Sequence, residues 1–283
     1  MLDSVPSLIV KVVTLGQRSI STTRPPTEIE RGVRFAFGAN WRSFVESVDE
    51  SRIGAAQQSL TSMLGREQLD GLSFLDIGSG SGLFSLAAFR LGATVMSFDY
   101  DPESVASTEQ LRLTYAADDP SWRVEQGSVL DADYMASLGT FDVVYAWGVL
   151  HHTGAMWPAL ERAIGATAGT LFIAIYNDQG RQSRIWRRIK QRYNHAGPAG
   201  RGVLLGMAES YFRARSTLAG ARSSQPRARG MSAAHDLRDW LGGYPFEVAS
   251  AGEVFTFCHD RGLTLTRLRT SNGLGNNEFV FER

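Results

Sequence analysis

Cysteine is nearly missing from this chain: Cys258 is the sole one in 283 residues. That excludes an intrachain disulfide framework and a cysteine-built zinc site, and it favours a reducing, cytoplasmic setting. Lysine is almost as scarce, because only Lys11 and Lys190 interrupt an otherwise all-arginine set of basic residues. No run of eighteen apolar residues occurs, so no transmembrane helix is expected. A signal-peptide cleavage site is also missing from residues 1–25, which read as an arm ending at Pro25-Pro26. Metal motifs such as H-E-x-x-H are lacking, and His195, His235 and His259 are scattered, so no metal is expected. Net charge is absent too, with 29 basic against 29 acidic side chains. A neutral total argues against a wholesale nucleic-acid or membrane-surface binder, although it is silent on local charge. What remains is ordinary globular material, 43% hydrophobic and 20% charged, enough for one large α/β domain with a lid.

Residues 1–70 read as an N-terminal arm and helical lid. An aromatic cluster (Phe35, Phe37, Trp41, Phe44) precedes a helix over Ser51 to Leu64. From Gly71 the texture changes to apolar strands alternating with helices. Strands are expected at 73–76, 94–98, 122–126, 141–146 and 170–176, with helices at 83–91, 102–115 and 157–166. This pattern implies a parallel sheet with helices on both faces. The alternation stops after Tyr176. Residues 177–245 read as a basic helical cover, with helices over 182–193 and 203–218. Residues 246–283 supply two closing strands, at 263–268 and 278–281.

Between the first strand and its helix lies Asp76-Ile-Gly78-Ser79-Gly80-Ser-Gly82. Glycines there permit a tight turn and close backbone approach to a ligand, beside the free N–H groups of a helix start. The spacing is not that of a dinucleotide fingerprint, whose third glycine would fall at Leu83. The second strand ends at Asp99, placed to accept both ribose hydroxyls of an adenosine, and Tyr100 can lie against the base. Gly127-Ser128-Val129-Leu-Asp131 follows the third strand. In this order and spacing, the three segments resemble class I S-adenosylmethionine (SAM)-dependent methyltransferases, of the quinone-precursor and natural-product type. The resemblance covers residues 71–176 and, more loosely, the closing strands. It implies a Rossmann-like, doubly wound, mainly parallel seven-stranded α/β sheet with an antiparallel closing strand. It also implies SAM as cofactor, S-adenosylhomocysteine as product, and a SAM site built from Asp76, Gly78, Ser79, Gly80, Gly82, Asp99, Tyr100, Ser128, Val129 and Trp147. Many members carry an acid where this chain has Ser128. Asp131 is either a substitute for it or a surface loop acid.

The fourth strand runs into Ala146-Trp147-Gly-Val-Leu-His151-His152. Ligands bind at the carboxyl ends of parallel strands, so this loop should face the transferred methyl. A hydroxyl acceptor must lose a proton, and histidine titrates near neutrality. His151 and His152 are the candidate bases, and either can equally be a packing or capping residue. His235, beside Asp236, ranks below them. The segment is not the Asn-Pro-Pro-Tyr type of many N-methylases.

Charge is segregated along the chain. Residues 71–176 hold twelve acids and four arginines, a net of −8, whereas residues 177–230 hold twelve bases and two acids, a net of +10. A basic cover suggests a small anionic acceptor, with Arg184, Tyr176 and Asn177 as candidate substrate contacts and Trp41 as a cap over the methyl. It also allows peripheral contact with an anionic membrane, or simply a solvated face. Transfer to a small-molecule hydroxyl is the leading expectation. RNA or protein methylation through the basic cover, or a SAM-binding scaffold without turnover, are the alternatives. Nucleic acid is a minority expectation, and oligomeric state is not readable.

Overall fold

The computed structural model describes residues 35, 37–117, 119–218, 237, 240–271, 273 and 275–283. Strands β1 (Ser73–Ile77), β2 (Thr94–Asp99), β3 (Trp122–Gln126), β4 (Phe141–Trp147), β5 (Thr167–Tyr176), β6 (Thr264–Arg269) and β7 (Asn276–Glu282) form one sheet. Their order is β3-β2-β1-β4-β5-β7-β6. The first five strands are mutually parallel, and β7 runs antiparallel to both β5 and β6. The chain therefore reverses its direction of travel across the sheet between β1 and β4, which opens a crevice at their carboxyl ends.

The helices are α1 (Gly38–Val45), α2 (Glu50–Leu64), α3 (Leu83–Arg90), α4 (Pro102–Ala116), α5 (Ala132–Leu138), α6 (Met156–Gly165), α7 (Arg181–His195), α8 (Pro198–Leu218) and α9 (Ala251–His259). Strand alternation divides the core between two helical layers. Phe74, Val95, Val143 and Tyr145 pack with Ile53 and Leu60 of α2, Leu86 of α3 and Leu111 of α4. Leu75, Ile77, Val144 and Ala146 pack on the other face with Met135 of α5, Leu160 of α6, and Val254 and Cys258 of α9. Burial pushes the Cys258 thiol up to about 12, so it is an inert core residue. A smaller cluster of Trp186, Tyr193, Ala208 and Leu241 joins α7 to α8 and the chain beyond.

Helix starts follow local chemistry. The Asp101 side chain accepts from Glu103 N–H with Pro102 in the first turn of α4. Asp131 accepts from the N–H groups of Asp133 and Tyr134, so it caps α5, a helix the sequence did not announce. Helix α9 was also not expected. Its signal was a capping box, in which Ser250 and Glu253 satisfy each other's backbone N–H. Helix α8 starts at Pro198 rather than 203, because its first turn is Gly-rich and carries no apolar period. Among the described residues no helix is long and apolar enough to cross a membrane.

Candidate active site

A cavity of about 880 Å³ opens at the carboxyl ends of β1, β2 and β4. Its size falls within the ~300–1,000 Å³ of small-molecule sites. Lining it are Asp76, Gly78, Ser79, Gly80, Asp99, Tyr100, Ser128, Val129 and Trp147, so all but one of the expected cofactor residues converge there. The exception is Gly82, which stands at the N-cap of α3 against Thr108. Two glycines show why the loop must lack side chains. Gly78 (φ 73°) would place a Cβ 2.5 Å from Val149 Cγ1, and Gly80 (φ 58°) would place one 3.0 Å from Trp41 Nε1.

The acids are held by distinct partners. Asp76 is buried and accepts from the Ser85 hydroxyl at 2.5 Å. That hydroxyl accepts from Ser97 Oγ at 2.8 Å, and Ser97 accepts from the Trp122 indole N–H at 2.9 Å. Three strands and α3 thus meet in one polar chain beneath the site. Burial pushes the Asp76 carboxyl up to about 7, against the lowering effect of Ser85, and nearby Asp99 adds to the rise. Asp99 accepts from Gly80 N–H at 3.0 Å and from Asp101 N–H at 2.9 Å. Burial raises it to about 6 despite those bonds. The arrangement is a cradle of backbone turns with carboxylates that gain from a cationic or hydroxyl-rich ligand. Its donor and acceptor set fits an adenosyl sulfonium.

A strap crosses the cavity from the N-terminal side. Phe35 N–H donates to Tyr244 O at 3.0 Å, and Gly38 N–H donates to Asp101 Oδ2 at 2.9 Å. Between these anchors, the Phe37 ring lies 5.2 Å from the His152 ring. Trp41 reaches the wall beside Gly80 and packs edge-on against Phe44.

The two histidines separate. His152 lines the cavity, and its Nδ1 lies 2.7 Å from Pro245 O. A carbonyl only accepts, so Nδ1 carries the proton and Nε2 is left as the basic nitrogen. His151 does not reach the cavity. It is buried against the Tyr176 ring at 4.0 Å, and its Nδ1 accepts from Tyr176 N–H at 3.3 Å. Burial, then His152 and Lys190, hold it well below its usual titration range. The expectation that His151 serves as a base is corrected on this geometry: it is a packing histidine between β4 and β5. His235 lies outside the described residues.

Of the substrate candidates, Tyr176 and Trp41 line the cavity, but Asn177 and Arg184 do not. Asn177 cross-links chain ends, donating to Ser271 O at 2.8 Å and accepting from Asn277 Nδ2 at 3.1 Å. Arg184 is exposed on the outer side of α7. The described lining residues include no arginine or lysine, so no described basic side chain of the cover lies on the cavity wall. Lys190 is buried among aromatic rings, with Nζ 4.2 Å from the Trp240 ring centroid and 4.8 Å from that of Phe246.

Several lining residues had not been singled out from sequence: Phe84, Tyr145, Phe212, Trp240 and Glu278. Glu278 accepts from the Trp147 indole at 2.9 Å and from Arg269 at 3.0 Å. The one signal for it was a carboxylate at the inner end of an apolar strand.

A family described as a methyltransferase domain matches residues 75–175. A ubiquinone biosynthesis O-methyltransferase of Azorhizobium caulinodans is 30% identical over 157 residues, 50% of this chain and 58% of that protein. A ribosomal protein L11 methyltransferase of Xanthomonas campestris pv. campestris is 44% identical over 52 residues, 18% of this chain and 17% of that protein. The chain thus spans between about a sixth and three fifths of the length of these curated relatives. Among solved structures, magnesium protoporphyrin IX methyltransferase from Synechocystis PCC 6803 with bound SAM aligns over 92% of this chain and 100% of its own. The TM-score is 0.54 at 14% identity. An O-methyltransferase family protein from Burkholderia thailandensis aligns over 91% of this chain and 63% of its own, with TM-score 0.55 and 12% identity. Residues 75–175 thus match a methyltransferase domain, and the strand order, the glycine loop and Asp99 stand as the resemblance to class I SAM-dependent methyltransferases implies.

Proposed function

We propose that the chain transfers a methyl group from SAM to a hydroxyl of a small, largely apolar acceptor, with His152 as general base. The observation that carries this reading is the placement of His152, with Nδ1 2.7 Å from Pro245 O. Its Nδ1 proton is committed to Pro245 O, and the ring stands on the cavity wall. Gly78, Ser79 and Gly80 approach the cofactor through backbone, Asp99 takes the ribose hydroxyls, and Tyr100, Ser128 and Val129 border the adenine. Asp76 and Trp147 lie toward the methionine end. When bound, SAM supplies an electrophilic methyl on sulfur and leaves as S-adenosylhomocysteine. His152 accepts the hydroxyl proton at Nε2 as the acceptor oxygen gains the methyl. Positioning by the strap and the aromatic wall supplies much of the rate.

The acceptor half is bounded by Phe37, His152, Tyr176, Phe212 and Trp240. Such a wall suits a flat or apolar body with one polar handle. Residues 71–176 with 246–283 then serve as the cofactor core, and 1–70 and 177–245 as its two covers.

Calorimetric titration with SAM, S-adenosylhomocysteine and NAD tests the cofactor. Binding of SAM and its product, weakened about tenfold or more in Asp99→Ala by loss of a charge-assisted bond, is the expected result. Binding of NAD alone refutes the reading. A screen of hydroxylated metabolites with labelled SAM then identifies the acceptor, and turnover retained in full by His152→Ala removes the base.

A further inference from the structure

We propose that the outer face of the α7–α8 pair docks on an anionic lipid bilayer. The two helices pack as an antiparallel pair. Gln182 Nε2 donates to Tyr211 Oη at 2.9 Å at one end, and Arg201 donates to Tyr193 O and Asn194 O at the other. Their inner side is spent on the fold, with Trp186, Tyr193 and Ala208 buried and Phe212 on the cavity wall.

The outer side carries the anomaly. Val203, Met207 and Tyr211 stand at four-residue intervals, hence on one stripe of α8, and are 63%, 64% and 40% exposed. Ile185, 47% exposed, lies one turn beyond Gln182 on α7, which sets it beside that stripe. Among the described residues seven large apolar side chains are exposed; Leu113, Phe255 and Leu268 stand on separate elements, whereas four gather on this helix pair and mark a surface meant to be covered. Around them, Arg181, Arg188 and Arg192 repeat along the exposed side of α7. Between Asp178 and Arg213 the chain holds eight basic and two acidic side chains.

Chemistry selects the occupant. A helix face that alternates arginine with aliphatic groups matches a bilayer interface, where apolar groups enter the acyl boundary and arginines meet lipid phosphates. A nucleic acid would use the arginines but offers nothing to Ile185, Val203 and Met207. A second copy of the same face would bring like charge against like. The inference rests on the cover helices alone and is independent of the methyl-transfer reading.

The test is co-sedimentation of the full chain with vesicles of phosphatidylcholine, or of phosphatidylcholine mixed with an equal part of phosphatidylglycerol. Sedimentation with the mixed vesicles only, weakened by salt, is expected. Charge reversal at Arg181, Arg188 and Arg192 should reduce it at least ~tenfold. Val203→Glu with Met207→Glu should reduce it comparably, and a melting profile and SAM titration like those of the parent show that the variants are folded. Absence of sedimentation at low salt overturns the proposal. So does binding insensitive to the Val203 and Met207 changes, since that is adsorption by charge alone. RNA retention with the same insensitivity, or a dimer that Met207→Glu dissociates without any vesicle binding, equally overturns it.

Discussion

Replacing Asp76 by Asn isolates the electrostatic cost of its buried carboxyl. In the folded chain the carboxyl is raised from 3.8 to about 7, chiefly by burial. An acid with a raised folded pKa makes the native state bind the proton more tightly than the unfolded chain does. Stability from this group is therefore greatest below about pH 3.8 and falls as pH rises to about 7. At about 1.36 kcal/mol per unit, a rise of about three units corresponds to at most about 4 kcal/mol lost by neutral pH. Asparagine is the uncharged mimic, since its carbonyl still accepts from Ser85. The variant should be the more stable by about 1–2 kcal/mol at pH 5 and by about 3–4 kcal/mol at pH 8. Urea unfolding of both proteins without ligand, at the two pH values, reads that difference directly. The same change should weaken SAM binding, because the charge that burdens the empty protein is the one a cation relieves. A stability difference independent of pH, or a variant weaker than the parent at pH 8, refutes the reasoning.

The histidines should part company in kinetics: His152→Ala should lower kcat about 10²–10⁴-fold. His151→Ala should leave folded enzyme with near-normal kcat but cost about 1–3 kcal/mol in stability, because it strips the acceptor from buried Tyr176 N–H. Gly38→Val should push the strap off α4, since a Cβ there meets Ser104 N at 2.7 Å and Asp101 Oδ2 at 2.8 Å. Losing the Gly38 bond to a carboxylate should cost the unliganded fold about 1–3 kcal/mol and raise the SAM Kd about tenfold or more, measured by calorimetry. Unaltered affinity would show that the strap does not cover the cofactor.

Legibility followed locality. The glycine loop, Asp99 and the strand that ends at each are read within a few residues, because turn geometry and strand ends are set by neighbouring atoms. Asp131 was ambiguous for the same reason in reverse: only the unannounced helix α5 turned it into a cap. His151 and His152 could not be separated, since they share one short 3₁₀ turn and neighbouring residues there point in different directions. Arg184 was drawn toward the substrate by its place after β5, yet helical phase decided its direction, and the buried phase of α7 runs through Ser183, Trp186, Lys190 and Tyr193. Glu278 was hidden because its partner Trp147 lies 131 residues away, a contact made only by the antiparallel return of β7 onto β5.

The segregation of charge resolves in three dimensions along a different line from the one drawn in sequence. A negative half and a positive half suggested that the cover's arginines reach into the cavity to hold an anion. Among the described residues the charged groups on the cavity wall are instead Asp76, Asp99, Asp101 and Glu278, while Arg181, Arg184, Arg188 and Arg192 face outward from α7. Charges more than ~8 Å apart across solvent are largely screened at physiological ionic strength. The outer arginines therefore do little to relieve the carboxylates, and the raised values of Asp76 and Asp99 are the sign that the relief is left to a ligand. A sulfonium with an ammonium beside it is a ligand of the required sign. The arginines, freed from that duty, are arranged for something outside the protein, and the exposed aliphatic side chains among them make a lipid surface the fitting counterpart.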